Sequence, residues 1–586
     1  MDYTLKAGRG DDTSQTFASA FDTLKPLLAD QRSNIVIALT CVVVTTVSNL
    51  LSPALIARVI DTAIARHDYP LLMRYAGLLA MVYVAALGTS YFQTICMGTV
   101  GRNTLFKLRN ALFNKLSLLP IAFFAQNKIG DLISRVNNDT DKINQFFAQA
   151  LMQFFGAFFV IIGSGAVLLT LNWKLGIAAL IPALAMLVIT RVLSPWVKLK
   201  SRKSLESLGG LSGEISEGLA NFKIIVAFNR VDYFRDKFAE ANEKNFKASI
   251  AAGVSSNLFT PLYTLAGSAG SILVLGYGVW LIARHQLTVG LLIGYLLYVT
   301  AFYNPLRQLA TVWSSLQQAM AALDRVSEVM LLDNDIVEIP DAPGGHTGHL
   351  LAFDDVSFSY PGGKRVLDHV SLSLERGKTY ALVGPTGGGK TTTAMLMARL
   401  YDPSSGVVYL DGRDIRSLTA EQRAARIGFI LQEPFLFSGT VRDNIAYGHD
   451  ELVALTDDAL TERLEARGLA VFLERFNDGL NTPASASGDA LSLGQKQLIA
   501  FMRAVLREPD ILILDEATAN IDTVTEQLLE EVLDRLPPTT AKVIIAHRLN
   551  TIQNADEIFF VGGASLTAAG SMEDALRMLQ TAKRAS

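Results

Sequence analysis

Two cysteines in 586 residues, Cys41 and Cys96, leave no disulfide framework and no thiolate cluster for a metal. Charge is scarce as well: 18% of the residues are Asp, Glu, Lys or Arg, against about 25% in an ordinary soluble protein. The 52 basic and 55 acidic side chains leave a net charge of −3, without the basic excess that nucleic-acid binders concentrate on one face. Yet that many charges are too many for a chain buried in lipid throughout. A single soluble enzyme, a disordered chain and a fibrous protein are all excluded by this mixture of an apolar part and an ordinary soluble part.

The missing charge is concentrated in six places. No charged residue lies between Arg32 and Arg58, Arg74 and Arg102, Lys142 and Lys174, Lys174 and Arg191, Lys247 and Arg284, or Arg284 and Arg307. A helix needs about 20 apolar residues to cross the hydrocarbon core. Five gaps are long enough outright. The fourth, 175–190, is short, but Arg191 at its end can snorkel to the interface. Residues 172–174, "NWK", then make a tight hairpin between the third and fourth spans. The loop 101–146, with Arg102, Lys107, Arg109 and Lys115, and the loop 191–250, with Lys198, Lys200, Arg202 and Lys203, are basic. The opposite connections hold little beyond Arg66, Lys174 and Arg284, so both basic loops and both termini are expected in the cytosol. The first span begins too late and runs too long for a signal peptide.

The expected organisation has four parts. Residues 1–30 form a tail ending in an amphipathic helix that lies on the bilayer surface, 31–323 an all-α polytopic membrane domain of six helices with long cytosolic extensions, 324–350 a charged and Pro/Gly-rich linker, and 351–586 an α/β P-loop domain with a helical subdomain.

The soluble part carries the chemistry. Tyr380 to Val383 reads as a strand, followed by a glycine-rich turn and a helix opened by Thr391. Gly384, Pro385, Thr386, Gly387, Gly388, Gly389, Lys390, Thr391 and Thr392 fit the G-x-x-x-x-G-K-[ST] phosphate loop and the start of its helix. Glycine lets the backbone curl until successive N–H groups point at phosphate oxygens, and the helix N-terminus adds its positive dipole end. Lys390 is suited to the β- and γ-phosphates and the Thr391 hydroxyl to Mg²⁺. A second apolar strand, "ILILDEAT" at 511–518, ends in two carboxylates. Asp515 is placed to hold Mg²⁺ and Glu516 to polarise an attacking water.

At this point the residues closely resemble an ABC transporter of the exporter type, a half-transporter with six spans fused to one nucleotide-binding domain. "LSLGQKQ" at 491–497 is similar to the family's LSGGQ signature and stands just before the acidic strand. The resemblance implies that Ser492, Gly494 and Gln495 contact ATP held by a second subunit, and that Tyr360 of "FSYPGG" stacks on adenine. It implies that Gln432 of "ILQEP" senses the γ-phosphate and Mg²⁺, that Asp522 belongs to the D-loop, and that His547 of "IIAHRL" contacts the γ-phosphate. Taken singly, Tyr360 reads as a packed aromatic and His547 as a structural histidine; their ordered co-occurrence with the phosphate loop carries the assignment. Residues 123–143 and 214–229 resemble the two intracellular loops of these exporters.

Two departures stand out. Leu493 replaces a usual signature glycine, and Ala486 replaces a usual glutamate. Lost regularity around one signature resembles heterodimeric exporters, so the second half-transporter is expected to be a different chain, with a homodimer as the alternative. The implied cofactors are ATP and Mg²⁺. The implied action is ATP-driven export or flipping of a drug-like compound, a lipid or a hydrophobic peptide across a bacterial inner membrane. An ATP-gated channel, a regulatory membrane ATPase or an importer on the same fold are the alternatives. The spans hold no ionisable residue near mid-bilayer, which argues for apolar or amphipathic cargo over ions. Gln145, Gln149 and Gln153 form a polar stripe entering the third span, and Tyr295, Tyr298 and Phe302 an aromatic face in the sixth. Each set either lines a cavity or serves interhelical packing. No peptidase-like segment precedes the spans, so leader processing is not expected.

Overall fold

Each charge-free run winds into a helix, the conformation that satisfies every backbone N–H and C=O within one segment. The computed structural model describes residues 3–5, 29–334, 336, 338–340, 348–485, 491–515, 523–545 and 553–585. Most of the expected surface helix at 17–30 lies outside them. The described chain divides into two units, one built from Leu5–Ser117 and Ile129–Leu331, the other from Met1–Thr4, Leu118–Lys128 and Leu332–Ser586.

The first unit is the membrane unit. Among the described residues it has six helices long and apolar enough to cross a membrane: α1 (Ala29–Ile64), α2 (Tyr69–Leu118), α3 (Ile129–Leu171), α4 (Trp173–Ala220), α5 (Val231–Ala283) and α6 (Val289–Met330). The short fourth gap is absorbed in the 48-residue helix α4. Helix α6 continues to Met330, into the stretch read as linker. The α3–α4 turn is built as a hairpin: the Asn172 side chain accepts from the N–H groups of Lys174 and Leu175 at 3.1 and 3.2 Å, capping α4. Gly176 permits the close return, because a Cβ there would meet the Leu168 carbonyl at 2.6 Å.

Tyr295, Tyr298 and Phe302 are buried in the core of this unit. The Tyr295 hydroxyl donates to the Leu168 and Asn172 carbonyls, and the Tyr298 hydroxyl donates to the Leu50 carbonyl. The two phenols therefore serve helix-to-helix packing, each tying α6 to a neighbour's backbone, whereas Phe302 also lines a cavity. Asp61, at the end of α1, accepts from the Gly290 N–H at 2.8 Å and from the Thr288 hydroxyl, capping α6. On the cytosolic extensions Arg135, 1% exposed, donates to Asp131 at 2.9 Å and to Glu328 at 2.7 Å. One turn further, fully buried Asp139 accepts from Arg325. These pairs tie the start of α3 to the end of α6.

Among the described residues the second unit holds three sheets, the smallest a two-stranded pair of β7 (Gly439–Thr440) and β8 (Pro483–Ala484). The antiparallel sheet has the order β2-β1-β4-β5, with β1 (Leu351–Ser359), β2 (Arg365–Leu374), β4 (Ser405–Leu410) and β5 (Arg413–Asp414). The larger sheet has the order β12-β11-β3-β10-β9-β6, with β3 (Thr379–Val383), β6 (Ile427–Ile430), β9 (Ile511–Asp515), β10 (Ala541–Ile545), β11 (Glu557–Gly562) and β12 (Ser565–Ala569). Only β12, at its edge, pairs antiparallel. Phe353, Val356, Leu382, Met397, Ile513 and Val543 share the core of this part. A separate helical core forms around Leu460, Leu464, Phe472, Leu498 and Met502. Tyr3 is buried in this unit, edge-on against Phe123 of the short helix Ile121–Gln126.

Candidate active site

Four neighbouring parallel strands bring the motifs to one edge. Leu382 of β3 lies opposite Ile545 of β10, Ile545 opposite Asp515 of β9, and Leu514 opposite Ile430 of β6. Their C-terminal ends therefore stand level. The phosphate loop leaves β3, Asp515 ends β9, and Gln432 sits in the exposed turn after β6. In open parallel sheets this carboxyl edge is where ligands bind. Glu516, Asp522, His547 and Ala486 lie outside the described residues, although β9 ends on the residue before Glu516.

The loop has the shape that phosphate binding demands. Gly387 and Gly389 take φ of 78° and 107°, the left-handed region that turns their N–H groups inward. Gly384 is wedged against β11, where a Cβ would come within 2.0 Å of the Val561 carbonyl. Helix α7 (Lys390–Met397) begins directly after the loop. Lys390 is buried, and its ammonium donates to the Gly384 and Pro385 carbonyls at 2.8 and 3.1 Å, which arches the loop over its own cation. Thr386 and Gly387 are exposed at the crown, Gly388 follows them half-buried, and Thr391 stands half-buried in the first helical turn. A hydroxyl at Thr391 and a carboxylate at Asp515, from adjacent parts of one sheet edge, are the hard oxygen donors that Mg²⁺ takes.

Tyr360 is positioned by partners that the motif does not announce. Its hydroxyl pairs with the Thr392 hydroxyl at 3.0 Å, and its ring meets Tyr401 edge-on at 5.4 Å. Burial pushes the Tyr401 phenol up from its ordinary pKa, and neighbouring Tyr360 adds to the shift. Thr392 thus fixes the aromatic ring relative to the phosphate loop. The signal for Tyr401 was absent from any motif; only the approach of β1 to the end of α7 reveals it.

The signature opens helix α8 (Leu493–Val505). Ser492 and Gln495 form a reciprocal capping box: the Ser492 hydroxyl accepts from the Gln495 N–H at 3.2 Å, and the Gln495 side chain accepts from the Ser492 N–H at 2.8 Å. Gln495 also donates to the Arg475 carbonyl at 2.6 Å. Leu493, the departure from the family pattern, is the first helical residue and 42% exposed, so its side chain stands on the surface. Gly494 follows it, half-buried.

A P-loop at the carboxyl edge of a parallel sheet, on a chain with six membrane-length helices, defines a membrane-embedded ATPase. The comparisons give the family. Residues 35–306 match the ABC transporter transmembrane region and residues 367–519 the ABC transporter family's ATP-binding part. The chain is 33% identical to the uncharacterized ABC transporter ATP-binding protein YfiC of Bacillus subtilis, over 94% of this chain and 91% of that one. It is 31% identical to a fatty acid ABC transporter ATP-binding/permease protein of Mycobacterium tuberculosis, over 87% and 80% of the two chains. It is 30% identical to an ATP-dependent lipid A-core flippase of Syntrophus aciditrophicus, over 85% and 82%. The chain belongs to the ABC transporter family, among its fused membrane-and-ATPase exporters. It is a multi-pass membrane protein and an ATPase whose hydrolysis is coupled to transport.

Proposed function

We propose that this chain is one half of a dimeric exporter that drives an amphipathic or apolar cargo across the plasma membrane by alternating access. The observation that carries the reading is the level carboxyl edge of β3, β10, β9 and β6, which collects a phosphate loop, an acidic strand end and Gln432 on a chain with six spans. Each ATP needs the phosphate loop of one subunit and the signature of the other, so a single copy is incomplete. The start of α8, with exposed Ser492 and Leu493 and half-buried Gly494, is the surface that would meet the partner's nucleotide. A surface leucine in that turn supports a partner of different sequence, and a second copy of the same chain is the alternative.

In this reading Tyr360 stacks on adenine, and the loop from Gly384 to Thr392, with Lys390, holds the phosphates. Thr391, Asp515 and Gln432 would hold Mg²⁺, which when bound offsets phosphate charge. Glu516 takes a proton from the attacking water, and His547 and Gln432 orient the γ-phosphate. ATP binding favours the closed, outward-open state because it is held by two subunits there and by one in the other state. Hydrolysis removes that preference and resets the cycle. The names of the relatives, fatty acid and lipid A-core, support a cargo with a long apolar part.

The test is Glu516→Gln in the reconstituted full-length protein. ATP binding should persist while phosphate release and ATP-driven flux fall by about 10²- to 10⁴-fold, the usual weight of a general base. Normal hydrolysis in that variant would remove Glu516 from the mechanism.

A further inference from the structure

Helices α1, α2, α3 and α6 line an open cavity of 550 Å³ in the membrane unit. Among the described residues its walls carry five carboxamides, Asn49, Gln93, Gln153, Asn304 and Gln308, and no charged side chain. The side chains of Asn49, Gln93, Gln153 and Asn304 make no hydrogen bond to another described residue, so each keeps a donor and an acceptor to offer. Two prolines in the same wall add to this. Pro53 and Pro305 sit inside α1 and α6, and lacking N–H groups they deprive the carbonyls of Asn49 and Ala301, both in the cavity wall, of their helical donors. A polar lining is not a general property of these spans. A second cavity of 350 Å³, which touches other faces of α3 and α6, is walled by apolar side chains and Tyr263.

We propose that the carboxamide-lined cavity binds the cargo through an uncharged head group that both donates and accepts hydrogen bonds, an amide or a polyol, carried on an apolar body. The inference rests on the transport reading above. An ammonium or carboxylate head seated against this wall would give up part of its hydration for dipoles alone, with no counter-charge in the wall. A wholly apolar molecule would expel water from the carboxamides and replace none of their hydrogen bonds. Only a neutral donor–acceptor head avoids both costs. A free fatty acid, although named for one relative, would find no cation here for its carboxylate.

Four probes sharing one dodecyl chain test this: N-dodecanoylglycinamide, dodecyl glucoside, dodecyltrimethylammonium and dodecanoate. Binding is titrated to the full-length protein in lipid nanodiscs without nucleotide, with empty nanodiscs subtracted. The neutral probes should bind about tenfold or more tighter than either ion, and Gln153→Leu with Asn304→Leu should erase that margin. Asn304→Asp should instead raise dodecyltrimethylammonium affinity, which also reports that the variant is folded. Equal binding of an ion and the neutral probes, or neutral binding untouched by the leucine pair, overturns the proposal. ATP hydrolysis by the same preparation is read separately, so its absence would sink the transport reading while the head-group ranking stands or falls on its own titration.

Discussion

The two units put the same residue types to opposite use. In the membrane unit large apolar side chains face outward, as with Leu87 of α2 at 74% exposed, while Ser164 of α3 is fully buried. In the ATPase unit every residue of β9 from Ile511 to Leu514 is buried. The solvent explains the inversion. Water drives leucine inward in the ATPase unit, whereas lipid is as apolar as leucine and gives helices no such reason to associate. Helices in lipid are held instead by close approach and by hydrogen bonds between them. Glycine shows the same split. Gly290 lets α6 approach α1 so closely that a Cβ would lie 2.3 Å from the Ala57 carbonyl, whereas Gly389 is needed for its backbone angle.

Four substitutions would break or sharpen that contrast. The largest effect belongs to Lys390→Ala: ATP hydrolysis, measured by phosphate release, should fall by about 10²- to 10³-fold, as for loss of a preorganised charge donor. The membrane unit's thermal transition should not move. Arg135→Ala is its counterpart in the other unit. It removes the buried guanidinium that Asp131 and Glu328 share and should cost about 3 kcal/mol, at the low end for a broken buried pair because Asp131 is half exposed. Thermal unfolding in nanodiscs measures that loss, and nucleotide affinity should persist. Gly290→Ala comes third. Its methyl group would clash with the Ala57 carbonyl and the Asp61 carboxylate, so overpacking should cost about 1–3 kcal/mol in the same assay. If Gly290→Ala were silent, close approach would not be what joins α1 to α6. The smallest change is Tyr360→Phe, which keeps the ring and loses one hydroxyl pair with Thr392. That pair is worth about 1 kcal/mol, so KM for ATP should rise less than about tenfold with kcat unchanged.

Some of this was legible at once. A charge-free run of membrane length has few alternatives to a helix, and the glycines around Lys390 spell a loop that little else requires. The fourth gap, short on strict counting, was still part of one continuous helix, because α4 extends far past the bilayer as an ordinary water-exposed helix. Other features depended on distant partners. Tyr295, Tyr298 and Phe302 at helical spacing fit a cavity or a packing seam equally well; Leu50, Leu168 and Asn172 supplied backbone carbonyls that drew the two tyrosines into packing, while Phe302 lines the apolar cavity. Of the glutamine stripe, Gln153 stands in the wall of the carboxamide-lined cavity, while Gln145 and Gln149 lie outside that lining. No periodicity links Arg135 to Glu328, since the two are 193 residues apart. Tyr401 carries no motif of its own.

What the sequence determined by itself was local chemistry: which stretches tolerate lipid, where the backbone must curl around phosphate, and which strand ends in acid. These depend on residues within one turn of helix or one loop of each other, so short-range sterics and solvation suffice to specify them. The tertiary structure alone decided what those stretches share. It set β3, β10, β9 and β6 level at one edge, and it gathered carboxamides from four helices around one uncharged cavity. Such convergence is set by the register of strands and the packing of helices far apart in the chain, and a side chain's own neighbours do not encode which distant surface it will face.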